Sequence, residues 1–127
     1  MAYIRDRREE LTGYQERAPY NANIDLQCDF VMVYGTDDTM PDRVKKFKEK
    51  GYVVHLMTGI AWGQYQDYLY GKWDGRNHWD EAQKDRYGED ISHGKDVPYM
   101  VPTISFTNYL IERLKLAVDA GVEALHL

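Results

Sequence analysis

The stretch from Phe30 to Gly59 decides the fold class and reads FVMVYGTDDTMPDRVKKFKEKGYVVHLMTG. Its two ends are apolar runs rich in β-branched residues, and its middle has the length and amphipathic pattern of a crossover helix. Neither run alternates polar and apolar residues, as a half-exposed antiparallel strand would. Continuous apolar strands joined by a helix are typical of a parallel sheet. We therefore expect an α/β protein built from parallel βα units.

The signals along the chain predict three strands and two long helices. Thr39 followed by Met40-Pro41 predicts the start of the first helix, and Gly51 predicts its end. Residues between the second strand and the second helix are too many for an ordinary βα connection, and a short helix is expected within them. The predicted strands are 24–34, 52–58 and 122–127, the long helices follow Thr39 and Thr103, the insertion is 60–102, and its short helix is 80–87.

A chain of 127 residues has the length of one domain. Residues 1–23 are charged and polar, so we expect a solvated N-terminal arm that packs Tyr14 or Tyr20 against the fold. An alternative is that Arg17 and Tyr20 reach over the entry of a site. Residues 24–127 make up the predicted α/β domain.

Composition and motifs exclude several classes of function. A net charge of -5 counts against nucleic acid or an anionic membrane as a partner, because phosphate binding needs clustered Lys and Arg. Cys28 is the only cysteine, so neither an internal disulfide nor a cysteine-based zinc site is expected. The chain contains no G-x-G-x-x-G, Walker or G-x-S-x-G motif, and its histidines lack metal-ligand spacing. We expect no cofactor and no metal.

The N-terminal segment lacks the apolar core of a signal peptide, and no apolar run approaches the roughly 20 residues that span a bilayer. The expected location is therefore the cytoplasm.

Three segments carry a resemblance to a known family. The runs 30–38 and 52–64, the second containing Gly-Ile-Ala-Trp-Gly-Gln, and the ending 120–127 resemble the N-terminal part of (β/α)₈ (TIM) barrel proteins of the glycoside-hydrolase type. The resemblance implies a partial barrel containing the first three strands, and an acidic site segment after Leu127. The missing strands would come from a longer chain, of which this is a fragment, or from association of copies. The open sheet edge at 122–127 predicts self-association.

The active site of such a barrel lies at the carboxyl ends of its strands. The candidate side chains there are Tyr34, Asp37 and Asp38 after the first strand, Trp62, Gln64 and Tyr65 after the second, and His126 on the third. Glycoside hydrolysis needs two facing carboxyl groups, about 5–10 Å apart. Asp37 and Asp38 are the candidates for catalysis, but adjacent residues in an extended loop point apart. Their alternative role is to support the turn and the helix start.

The run WDGRNHW at residues 73–79 is the most polar and aromatic part of the insertion. Aromatic rings stack on the apolar faces of sugars, while Asp, Asn, Arg and His bind the hydroxyl groups. The predicted contacts are those of Trp73, Asp74, Arg76 and His78. An insertion folded around its own aromatic core has the same composition, so this alternative stays open.

These observations predict a fragment of a carbohydrate-active barrel, a glycoside hydrolase, which contributes sugar-contacting loops and is inactive by itself. A non-catalytic carbohydrate-binding or interaction module is the alternative. A complete flavodoxin-like domain is a third hypothesis, and the absence of a phosphate loop counts against it.

Overall fold

The computed structural model describes residues 12–127. Four strands form one parallel sheet in the order β1-β2-β3-β6, so each strand pairs with the next strand of that set along the chain. Two further strands, β4 and β5, form a small antiparallel hairpin in the insertion. The elements are β1 (Gly13–Glu16), β2 (Phe30–Tyr34), α1 (Met40–Glu49), β3 (Val53–Met57), α2 (Gln66–Leu69), β4 (Ser92–Gly94), β5 (Val97–Pro98), α3 (Ile104–Ala120) and β6 (Ala124–His126). The predicted α/β class with a parallel sheet is confirmed.

Both long helices begin where the sequence predicts. The Asp37 carboxylate accepts a hydrogen bond from the backbone N–H of Thr39 at 2.9 Å, just before α1. The Thr103 hydroxyl accepts from the backbone N–H of Phe106 at 3.0 Å and caps α3. Gly121 ends α3 with a φ of 110°, a left-handed conformation that favours glycine.

Part of the predicted N-terminal arm is a strand, so the expected count of three parallel strands was wrong. The Asp29 carboxylate accepts from the backbone N–H of Thr12 at 2.9 Å and from its hydroxyl at 3.0 Å, which fixes the start of β1 beside β2. Tyr14 and Tyr20 pack against the sheet core, as expected. The four residues of β1 are too few to show a strand period. Residues 1–11 of the predicted arm lie outside the described residues.

The first predicted strand is shorter than expected. The segment before Phe30 contains a 3-10 turn at Ala22–Ile24 and the residue Gln27 with a φ of 54°, and both interrupt an extended backbone. Asp25 stabilises this irregular segment, because its carboxylate accepts from the Gln27 backbone N–H at 2.9 Å and from the Tyr20 hydroxyl at 2.9 Å. The predicted run 24–34 is therefore a strand only over its apolar part.

Two apolar cores share helix α3. The second half of α3 contributes to the sheet core, and its first half contributes to an aromatic core inside the insertion. The buried members of the sheet core are Val31, Val33, Met40, Val44, Phe47, Val54, Leu56, Ala117, Ala120 and Val122. Those of the aromatic core are Tyr65, Tyr68, Leu69, Met100, Phe106, Tyr109 and Leu110.

The helices α1 and α3 lie on the same face of the sheet, because residues of both contribute to the sheet core. On the opposite face, Met32, Tyr34, Val53 and Met57 remain partly exposed. The strand order also lacks the reversal that defines a flavodoxin-like sheet, which counts against that hypothesis.

Apolar side chains are also exposed at the β6 edge of the sheet and along the outer side of α3. Leu125 is 40% exposed, while Ile104, Ile111 and Val118, which recur every seventh residue of α3, are 83%, 44% and 54% exposed. Among the residues that the structure describes, no helix combines the length and apolar character needed to cross a membrane.

Candidate functional site

The carboxyl ends of three neighbouring strands bring together side chains from three separate segments. Arg17 follows β1, Tyr34 ends β2, and Gln64 lies in the loop after β3. The Arg17 guanidinium lies over the Tyr34 ring, with its central carbon 5.1 Å from the ring centroid. A guanidinium can only donate hydrogen bonds, so the Gln64 amide is assigned with its oxygen toward Arg17. In that orientation the oxygen accepts from both terminal nitrogens of Arg17, at 3.0 Å each. This contact crosses the end of the middle strand. We call Arg17, Tyr34 and Gln64 the edge cluster.

Arg43 connects the carboxyl edge of the sheet to the start of α1 through hydrogen bonds. It is buried, and its Nη1 donates to the carbonyl oxygens of Arg17 at 3.0 Å and Tyr34 at 3.1 Å. Its Nε donates to the Thr39 hydroxyl at 3.0 Å, and its Nη2 donates to Asp37 at 3.3 Å. The backbones that carry the edge cluster are thus held by one guanidinium.

Asp37 and Asp38 already have partners within the fold. Burial raises the pKa of Asp37, but hydrogen bonds from Thr39 and the charge of Arg43 outweigh this and leave the pKa below its ordinary value. Asp38 accepts from Lys72 at 2.7 Å and from Arg113 at 2.9 Å, and these bonds lower its pKa. Both carboxylates are therefore ionised at neutral pH. Their contacts support the alternative role in the turn and helix start over proton donation in catalysis.

Tyr65 holds the loop that carries Trp62 and Gln64. Its side chain is buried, and its hydroxyl donates to the carbonyl oxygen of Gly59 and lies 3.3 Å from the Thr58 hydroxyl. Burial raises the pKa of Tyr65 to about 12. Since only 1% of the residue is exposed, Tyr65 is placed to support the loop and is not open to a ligand.

The turn between β3 and Trp62 is unusually close. A Cβ atom at Gly59 would lie 2.0 Å from the carbonyl oxygen of Trp62, so only glycine fits there. The Trp62 ring stacks on His93 with centroids 4.1 Å apart and lies 6.3 Å from the Tyr99 ring. Trp62 is thereby fixed beside the hairpin of the insertion while remaining partly exposed.

His126 lies at the same edge, on the partly exposed face of the sheet. It shares a row with Tyr34, and Met57 separates the two residues. Its Nε2 is 3.0 Å from Nδ1 of His55, and the two rings stack with centroids 5.2 Å apart. His126 thus lies at the carboxyl edge of the sheet, and its predicted role at a barrel mouth stays a prediction.

The run at residues 73–79 contributes Trp73, His78 and Trp79 to the aromatic core of the insertion, while residues 74–77 are exposed. Trp73 packs against that core, and its Nε1 donates to Glu112 of α3 at 2.9 Å. His78 is completely buried and stacks on Tyr68 with ring centroids 3.9 Å apart. The alternative of an insertion folded around its own core is therefore the arrangement found. His78 is not accessible to a ligand in this structure.

Two carboxylates hold His78 from opposite sides. Its Nε2 is 2.8 Å from Asp74, and its Nδ1 contacts Glu81. Nδ1 also lies 3.1 Å from Nη2 of Arg76, so both ring nitrogens have polar partners. The hydrogen bond from His78 lowers the pKa of Asp74. Arg76 lies 3.4 Å from Glu81 and is itself largely exposed.

Glu81 is a buried carboxylate that sequence reasoning missed. It accepts from the Tyr68 hydroxyl at 2.9 Å and from the hydroxyl of Thr103, in addition to its contact with His78. Burial raises the pKa of Glu81, but these three hydrogen bonds outweigh burial and lower it. The predicted helix over 80–87 is wrong, because only Trp79–Glu81 form one 3-10 turn and the chain then runs extended.

Within residues 12–127, no group of three or more His, Cys, Asp and Glu side chains is arranged to hold a metal ion. Comparison with protein families, with curated proteins and with solved structures finds no match to this chain.

Proposed function

We propose that the chain is part of a carbohydrate-active (β/α)₈ barrel of the glycoside-hydrolase type, and that it binds sugar at the carboxyl edge of its sheet. The binding residues in this proposal are the edge cluster together with Trp62 and His126. The observation that carries it is the contact of Arg17 with both the Tyr34 ring and Gln64, at the end of a parallel strand where α/β proteins place their ligands.

The strand order supports the barrel part of this proposal. Each strand of a (β/α)₈ barrel pairs with the next strand along the chain, and the helices form a layer on one side. Here the four parallel strands follow that order, and both long helices cover one face. The partly exposed face would then be the barrel interior. A non-catalytic binding module with the same edge is the alternative.

The side chains at this edge have the chemistry that sugar recognition needs. An indole ring offers an apolar surface to the C–H face of a pyranose, and guanidinium, amide and phenol groups bind hydroxyls. Sugar binding at this edge does not imply catalysis. Asp37 forms an ion pair with Arg43, and Asp38 forms ion pairs with Lys72 and Arg113. The catalytic acid and base would come from strands outside the four described, so we expect no glycoside hydrolysis by this chain alone.

Tryptophan fluorescence tests the proposal. Trisaccharides of neutral and acidic sugars are titrated into the protein and into the variants Trp62→Phe and Trp79→Phe. We expect a saturable fluorescence change that persists in Trp79→Phe and disappears in Trp62→Phe, because Trp79 packs against the aromatic core away from the edge cluster. No saturable change with any sugar would contradict the proposal, as would a signal lost only in Trp79→Phe.

A further inference from the structure

We propose that the sugar bound at this edge carries a carboxylate, as in a uronic acid, and that Arg17 binds it. This inference rests on the proposed function, since it names the substrate class of the same site.

Arg17 has free donor capacity. Its residue is exposed, and among the described residues no carboxylate forms an ion pair with its guanidinium. A guanidinium has five N–H donors, and Gln64 accepts one from each terminal nitrogen. Three donors therefore remain for a ligand.

The geometry of those remaining donors favours a planar anion. Gln64 binds the two N–H groups that point between the terminal nitrogens of the guanidinium. The parallel pair formed by Nε–H and one Nη–H, along the side of the guanidinium, therefore remains available to a ligand. Such a pair matches the two oxygens of a carboxylate. Stacking on Tyr34 and the bonds to Gln64 limit the rotation of the guanidinium, which reduces the entropy lost when a ligand binds.

The electrostatic surroundings also suit an anion. Three nearby carboxylates are bound to other cations: Asp37 to Arg43, Asp38 to Lys72 and Arg113, and Asp67 to Arg113. The Glu16 carboxylate, next to Arg17 in the chain, accepts from the backbone N–H of Ala18 at 2.9 Å. Among the described residues, Arg17 thus forms no ion pair with these carboxylates, although the whole chain has a net charge of -5. An acidic sugar would meet the Arg17 guanidinium at this edge, while the net negative charge of the whole chain disfavours anions elsewhere.

The test compares matched ligands. Calorimetric titration uses the trisaccharides of galacturonate, glucuronate and mannuronate, each beside its uncharged methyl ester, and one sulfated trisaccharide. The variants are Arg17→Gln, which removes the charge, and Arg17→Lys, which keeps the charge but not the fork. Arg86→Gln is the matched control, because Arg86 is an exposed arginine that also stacks on a tyrosine, 4.7 Å from the Tyr87 centroid.

We expect at least one uronate to bind about tenfold more tightly than its methyl ester, the usual scale of a hydrogen bond to a charged group. This preference should disappear in Arg17→Gln, weaken in Arg17→Lys and persist in Arg86→Gln. Esters that bind as well as the acids would overturn this inference while leaving the carbohydrate proposal intact. A sulfated sugar that binds more tightly than every uronate would overturn the carboxylate assignment. Binding of none of these sugars would overturn both proposals.

Discussion

Replacement of Glu81 by glutamine tests whether the insertion is an ordered part of the fold. The two oxygens of Glu81 receive hydrogen bonds from Tyr68, Thr103 and His78. Glutamine has nearly the same shape, but it carries no charge, and its amide nitrogen cannot accept a hydrogen bond. Glu81→Gln therefore removes the buried negative charge and one of the two acceptor oxygens that Tyr68, Thr103 and His78 share.

The expected cost follows from this loss. A buried polar group that loses its hydrogen-bond partner costs about 1–3 kcal/mol, and hydrogen bonds to a charged group lie toward the upper end of that range. Because Asp74 continues to pair with His78, we expect a loss of about 3 kcal/mol in the free energy of unfolding. For a domain of this length, that corresponds to a fall of roughly 10 °C in Tm.

The tryptophans provide a selective assay. All three, Trp62, Trp73 and Trp79, lie in the insertion, so fluorescence reports on the insertion, while far-ultraviolet circular dichroism reports mainly on α1 and α3. Urea unfolding followed by both signals gives the two midpoints. The control is Glu49→Gln, which removes an exposed ion pair with Lys46 and should change stability by less than about 0.5 kcal/mol. A fluorescence transition of Glu81→Gln equal to that of the control would refute the reasoning.

Two further predictions concern the ion pairs and the open edge. The lowered pKa of Asp38 means that its ionised form stabilises the fold above its ordinary pKa of 3.8 and that this contribution is lost as pH falls through the lower folded-state value. Asp38→Asn should therefore be less stable than the wild type at pH 7, with a difference that shrinks below pH 3.8; a pH-independent difference in urea midpoints would contradict this. Self-association through the β6 edge and the exposed side of α3 should be weakened by Ile111→Glu but not by Lys45→Glu on the exposed side of α1, as measured by light scattering; a wild-type protein that stays monomeric at all concentrations would count against the interface.

The sheet and the long helices were predictable because their signals are local. Apolar runs identify β2 and β3, and a capping threonine and a terminal glycine bound α3. The strand β1 was missed for a physical reason. Its position depends on Asp29 holding Thr12, seventeen residues away, and no pattern within Gly13–Glu16 signals that contact.

The candidate site was only partly predictable. Tyr34, Trp62 and Gln64 follow from the rule that ligands bind at the carboxyl ends of parallel strands. The composition of residues 73–79 is equally suitable for a ligand surface and for a core, and only the tertiary contacts of His78 with Asp74 and Glu81 distinguish the two. The importance of Arg17 depends on Gln64, a contact between residues forty-seven positions apart.

The most direct test of the account is to map sugar binding onto the chain by amide chemical shifts in solution. With a uronate trisaccharide added, we expect saturable shifts at Arg17, Tyr34 and the loop after β3 that carries Trp62 and Gln64. Amides of the run 73–79 and of the amino-terminal end of the sheet should stay unchanged. Saturable shifts centred on residues 73–79, or no shifts at the carboxyl edge, would contradict the claim that this edge binds carbohydrate.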